Sequence, residues 1–286
     1  MQARTKNIRT VELVRRAEPT MEGAGVRLVR AFGFEESSRL DPFLMLDDFH
    51  SENPADYSAG FPSHPHRGME TDTYMISGTS EHADNLGHQG RIGPGEVQWM
   101  TAGSGIIHEE MPQATDGRLQ GFQLWINLPA ANKMMAPRYQ DIRKGMIPVL
   151  EPNDGVEVRV IAGKVGEAAG PVRDLIVPVE LLDVKMGSKG RFEHVVPNDR
   201  TAFAYIFEGE ASFGDERWRA GEEHLVILGE GDTVVVRTEN AGARFLLASG
   251  KPLREPIAWR GPVVMNSEEE LKQAFREIRE GKFVRE

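Results

Sequence analysis

The stretch Gly95-Glu-Val-Gln-Trp-Met-Thr-Ala-Gly103 decides the fold, because Gly221-Glu-Glu-His-Leu-Val-Ile-Leu-Gly229 repeats it with both glycines and the glutamate in register. A second echo lies upstream of each: Tyr74-Met-Ile-Ser-Gly78 matches Tyr205-Ile-Phe-Glu-Gly209, an aromatic-led run ending at glycine. Short runs rich in β-branched and aromatic residues, closed by glycine, read as strands. The 286 residues exceed the usual single core, and two copies of one β unit account for the excess.

Outward from these runs the same reading extends along the chain. Ile8 to Val14, Val26 to Phe34, Thr71 to Ser77 and Val156 to Ile161 are further strand candidates. Leu119 to Asn127 alternates, with Phe122, Leu124 and Ile126 on one face and Gln123 and Trp125 on the other. Gly90-Arg-Ile-Gly-Pro-Gly-Glu96 makes a tight turn, and Gly103-Ser-Gly105 turns the chain back. Glycines at this density suit barrel corners. A phosphate loop is disfavoured at Gly103 to Gly105, because no Lys-Ser/Thr follows and no helix pattern opens there. Leu128 to Pro137 reads as an irregular connection, and the glycine-rich stretch Gly163 to Arg173 as a linker or long loop. The expected division falls near 130 to 150, taken as residues 1–135 and 136–286. Near the end, Ser267-Glu-Glu-Glu270 is a capping box, and Leu271, Ala274, Phe275 and Ile278 recur at helical spacing before Gly281.

The first copy carries residues that the second lacks. His64 and His66 stand at i and i+2 in Gly60-Phe-Pro-Ser-His-Pro-His-Arg-Gly-Met-Glu70, and His108 and Glu110 repeat that spacing. On extended strands each pair shares a face. Two such pairs on neighbouring antiparallel strands converge three nitrogens and one carboxylate on a point, which suits a divalent transition metal. Glu70 competes for the carboxylate position, with a strand-edge or supporting role as its alternative. His50 reads as a capping or surface residue, and His82 and His88 as surface residues of an exposed connection. Phe61, Met69 and Trp99 read as core.

Carrying the repeat forward puts Val234 and Val236 at the places of His108 and Glu110. Carrying it backward puts Val195 and Pro197 at those of His64 and His66, with His194 nearby. A single histidine is ordinarily a buried structural residue. The demands of the fold alone would not place three histidines and a glutamate in one copy and valines in the other. One metal per chain is the expectation.

Composition excludes several alternatives. Lys and Arg number 34 against 44 Asp and Glu, a net charge of -10, which disfavours direct binding to nucleic-acid phosphate. With no cysteine, disulfides and thiolate ligation are excluded, leaving His and carboxylate as the strong ligands. The start, Met1 to Arg9, has charges but no apolar run after them, and no stretch approaches 18 apolar residues. A soluble cytoplasmic protein without membrane contact is expected.

These residues resemble the pirins, a family of bicupins. The resemblance rests on Leu40-Asp-Pro-Phe-Leu-Met-Leu-Asp-Asp-Phe49, His64-Pro-His-Arg-Gly-Met-Glu-Thr71, Gln98-Trp-Met-Thr-Ala-Gly103 with Gly105-Ile-Ile-His-Glu-Glu-Met-Pro112, and Gly261-Pro-Val-Val-Met-Asn-Ser-Glu-Glu-Glu270. It implies an all-β fold of two cupin-type β-barrels with a short C-terminal helix. It also implies one metal in the N-terminal barrel, held by His64, His66, His108 and Glu110. Iron, as Fe(II), is the usual metal of the family; nickel, copper, manganese, zinc and cobalt suit the same ligands. Some pirins act as quercetin 2,3-dioxygenases. Others are described as transcriptional co-regulators or binders of metabolic enzymes. The leading expectation is a dioxygenase taking dioxygen and a flavonol-like or other enolisable aromatic substrate, with Glu110 also accepting the substrate hydroxyl proton. The alternative is a redox- or metal-sensing regulator acting through a protein partner.

Overall fold

The computed structural model describes residues 6–114, 117–215 and 217–284; the first five residues of the charged opening lie outside them. Two compact units form, one from Glu18–Met146 with Leu253–Glu286 and the other from Met1–Ala17 with Ile147–Pro252. Each is a cupin-type barrel of antiparallel strands, so the all-β bicupin architecture with one short helix holds.

The units differ from sequence segments 1–135 and 136–286 at both ends of the chain. Strand Val11–Arg16 pairs with His224–Leu228, so the opening strand belongs to the second unit. The last residues return to the first unit. The first exchange is an edge pairing and the second rests on an isolated bridge between Arg67 and Val263 and on side-chain contacts; both join segments far apart in sequence, which local periodicity does not encode. The stretch Gly163 to Arg173, expected as a linker or long loop, lies within the second unit, where Lys164–Val165 and Ala168–Ala169 pair as a small hairpin.

In the first unit a seven-stranded sheet runs in the order Arg138–Ile142, Val97–Thr101, Met69–Ser77, Leu119–Asn127, Phe43–Ser51, Val26–Phe32, Glu18–Glu22. A four-stranded sheet holds Phe61–His66, Ile106–Gln113, Thr79–Asp84 and Gln89–Ile92. The alternation expected in Leu119–Asn127 is present. Gln123 and Trp125 line a cavity and pair with Asp47 and Met45 across the sheet, while Phe122, Leu124 and Ile126 are buried on the other face.

The C-terminal segment is tied into this barrel by buried polar contacts. The hairpin Ala258–Arg260/Val263–Met265 precedes the helix Glu268–Arg279, whose Ser267–Glu270 capping box forms as expected. Lys133 Nζ donates to the carbonyls of Gly68 (2.8 Å) and Val264 (3.0 Å) and to Asn127 Oδ1 (2.6 Å). Arg67, 2% exposed, donates to the Ser104 carbonyl, the Phe283 carbonyl and Glu277 Oε2, each at 2.7 Å, and its guanidinium lies 4.1 Å from the centre of the Phe283 ring. The backbone is closely approached here. Gly68 has φ +79, and a Cβ on it would lie 1.9 Å from the Val264 carbonyl oxygen, so a side chain is sterically excluded. Gly105, at φ +139, meets Phe283 in the same way. The glycine-rich turn thus seats the protein's own tail.

The second barrel has an apolar interior. Val158, Leu182, Val184, Phe192, Val234, Val236, Phe245 and Leu247 belong to one contiguous cluster, and Phe245 packs edge-on against Phe192 and Phe213. Full burial of each such side chain contributes about 1.5–3 kcal/mol.

Candidate metal centre

Three imidazoles of the first unit converge. Strand Ile106–Gln113 runs antiparallel to Phe61–His66 with His108 opposite His64 and Ile106 opposite His66. The i, i+2 spacing puts His64 and His66 on one face, and this register brings His108 onto them. One nitrogen from each ring lies within 4.8 Å of the others. Ring centroids are 4.5 Å apart for His64 and His108, 4.8 Å for His64 and His66, and 5.0 Å for His66 and His108.

The donor set fits a metal. Both ring nitrogens of His66 and of His108 are buried without a hydrogen-bond partner, an arrangement that carries a desolvation penalty unless something else engages them. His64 Nδ1 lies 3.0 Å from the Pro62 carbonyl; since a carbonyl only accepts, Nδ1 carries the hydrogen and Nε2 is left as the ligand atom. Burial lowers His66 well below the ordinary imidazole range and brings His108 down to about 4. Both rings are therefore neutral at pH 7, the form a metal requires.

Glu110 lies beside the cluster and outside the group of three. A register shift falls between His108 and Glu110, and the carboxylate accepts from Thr73 Oγ1 at 3.1 Å and Gln123 Nε2 at 2.9 Å. Burial would raise its pKa, but His108, His64 and these two donors outweigh it and hold Glu110 below the usual range. An ionised, oriented carboxylate thus stands two residues from His108. Glu70 is elsewhere: fully buried, it accepts from Thr101 Oγ1 at 2.6 Å.

His82 is buried, not on the surface; it stacks on Tyr139 with centroids 6.2 Å apart, sits opposite Glu110 across the strand pair, and contacts the Gln98 amide. The apparent connection around it is strand Thr79–Asp84. Phe61, expected in the core, also lines the cavity. His50 is half-buried, with Nδ1 3.0 Å from Asp48 Oδ1, and His88, paired with Asp84, is exposed.

Among the described residues the second barrel has no such cluster, and its register differs by one residue from the expected one. His194 pairs with Val234 as His64 pairs with His108, so His194 and Val196, rather than Val195 and Pro197, occupy the places of His64 and His66. The lone His194 is turned to Glu180 at 2.6 Å and stacks on Phe192. Val196, Val234 and Val236 fill the core.

Depressed imidazoles make metal-free stability depend on pH. The unfolded chain's histidine titrates near 6.5, whereas folded His108 titrates at about 4. Between these values the unfolded state binds the extra proton, so stability falls as pH drops from 6.5 towards 4 and is fully present above 6.5. From pH 7.5 to pH 5 the loss from His108 alone is about 2 kcal/mol, with His66 acting in the same direction. Urea unfolding of chelator-treated protein at the two pH values, compared with His108→Ala, measures this. Equal pH responses in the two proteins would show that His108 is not held neutral.

The fold and site together define a bicupin with a three-histidine metal-type centre in one barrel and an apolar interior in the other. A family model described as Pirin matches residues 25–126, and one described as Pirin C-terminal cupin domain matches residues 181–284. A pirin-like protein of Caulobacter vibrioides is 46% identical over 277 residues, spanning 96% of this chain and 99% of that protein. A Pseudomonas aeruginosa protein named as a candidate quercetin 2,3-dioxygenase is 47% identical, spanning 92% of this chain and 94% of its own. A crystal structure named quercetin 2,3-dioxygenase, from Acinetobacter baumannii, superposes with a TM-score of 0.89 at 31% identity, covering 96% of this chain and 98% of that one. The chain belongs to the pirin family. Among the described residues no helix is long and apolar enough to cross a membrane.

Proposed function

We propose that this protein is a metal-dependent dioxygenase acting on a flavonol-like or other enolisable aromatic compound. The observation that carries this reading is a cavity of about 680 Å³ in the first unit, lined by His64 and His66 together with Phe61, Trp125 and Trp259. That volume suits a ligand of a few fused or linked rings. The similar proteins named for quercetin 2,3-dioxygenase activity support it.

His64, His66 and His108 would hold one divalent ion, iron first among those the ligands suit, with Glu110 as the fourth ligand. Bound there, the ion supplies Lewis acidity towards a substrate hydroxyl and redox capacity towards dioxygen. The chain's own contribution is positional. The ionised Glu110, steadied by Thr73 and Gln123, can accept the proton of an enolic hydroxyl. The buried ring of Trp125, edge-on to His66 at 5.2 Å, excludes water from that side of the centre.

Iron-loaded protein under air should bleach the flavonol absorbance of quercetin. Absence of turnover with every flavonol tried and with iron, copper, nickel and manganese alike would overturn the dioxygenase reading.

A further inference from the structure

The cavity holds recognition chemistry that the metal ligands do not account for. Four rings run outward from the centre. His66 meets Trp125 at 5.2 Å, Trp125 meets Trp259 at 6.0 Å, and Trp259 meets Phe34 at 5.6 Å. Phe34 is 65% exposed, and a large exposed aromatic at the edge of a cavity marks a ligand contact better than a core residue. Both indole N–H groups are already used. Trp125 donates to Gln123 Oε1 at 3.1 Å, and Trp259 donates to the Gly261 carbonyl at 2.6 Å. The N–H edges are thus occupied within the protein, and stacking on another flat ring calls on the faces instead.

A polar element lines the same cavity. Arg30 holds the Asp47 carboxylate with two bonds, Nε to Oδ1 at 2.7 Å and Nη2 to Oδ2 at 2.8 Å, and also reaches Glu22 at 2.9 Å. Each Asp47 oxygen has one donor from this fork and capacity for a further one. Two carboxylates against one guanidinium disfavour an anionic substituent and favour a neutral group that donates a hydrogen. Burial raises the Asp47 carboxyl to about 6, which leaves it ionised at neutral pH.

We propose that Phe34, Trp125 and Trp259 with Asp47 form a recognition subsite, distinct from the metal ligands, for a planar aromatic ring carrying a free phenolic hydroxyl. The rings stack on the ligand and the Asp47 carboxylate accepts its hydroxyl hydrogen. This deepens the reading of the cavity as a substrate pocket, but it concerns binding and is measured apart from turnover.

Quercetin and 3-hydroxyflavone share a skeleton and the hydroxyl–carbonyl pair that a metal would take, and only quercetin carries further hydroxyls. Titration of metal-loaded protein with each, without oxygen and followed by quenching of indole emission, should show quercetin bound at least about tenfold more tightly, as expected for one charge-assisted hydrogen bond. Asp47→Asn should shrink that preference severalfold. Trp259→Leu should weaken both ligands about tenfold while keeping their ratio, and metal content by elemental analysis should be unchanged in both variants. Equal affinity of the two ligands for the unaltered protein would overturn the proposal, whether or not Asp47→Asn folds. So would full affinity in Trp259→Leu. Discriminating binding combined with no turnover under air of any flavonol with iron, copper, nickel or manganese would instead sink the dioxygenase reading and leave this one standing.

Discussion

Replacing Arg67 by methionine should destabilise the first unit by about 3–5 kcal/mol, the loss typical of removing one partner from a buried ion pair. Methionine keeps much of the apolar volume, so the loss is mainly one of donors. Glu277 would be left largely buried, its side chain 12% exposed, without this cation, and the carbonyls of Ser104 and Phe283 would lose their 2.7 Å donor bonds. Arg67 also follows His66 of the histidine cluster directly, and its backbone pairs with Pro262 and Val264. The guanidinium therefore ties strand, glycine turn, helix and tail together. Urea unfolding measures the effect, and adding Glu277→Gln should recover part of the loss by removing the buried negative charge. A midpoint unchanged within error would show that the clamp contributes nothing.

The second large effect concerns the metal. A ligand that binds only the folded state stabilises it by about 2.7 kcal/mol at one hundred times its dissociation constant. Adding iron or nickel to chelator-treated protein should raise its unfolding midpoint accordingly. The His64→Ala, His108→Ala variant should show no such rise, because it keeps only His66 of the three clustered imidazoles. A variant that retained the full shift would place the metal elsewhere.

Much of this site is legible in the amino-acid sequence alone, and the reason is local. The i, i+2 spacing of His64 and His66 puts both on one face of a strand, and the valines of the repeat mark which copy carries the histidine cluster. The capping box at Ser267 and the alternation through Leu119–Asn127 are local in the same sense, and both form as expected. What escapes depends on contacts between distant segments. Trp259 and Phe34 stand far apart in sequence and meet only because the C-terminal segment folds back onto the first barrel. In sequence Asp47 is simply one of two acids ending an apolar run, and its bond to Arg30 gives it a place in the cavity. His82 reads as a surface residue because its polar neighbours disguise strand Thr79–Asp84 as a connection. The one-residue slip at His194 arises from extending a register across segments of unequal length between strands, where period-two geometry turns a single slip into the wrong face.

One barrel should carry one metal, held by the histidine cluster. Elemental analysis of the purified protein tests it most directly. The unaltered chain should carry close to one transition-metal ion, and the His64→Ala, His108→Ala variant close to none; equal metal in the two proteins would contradict the assignment.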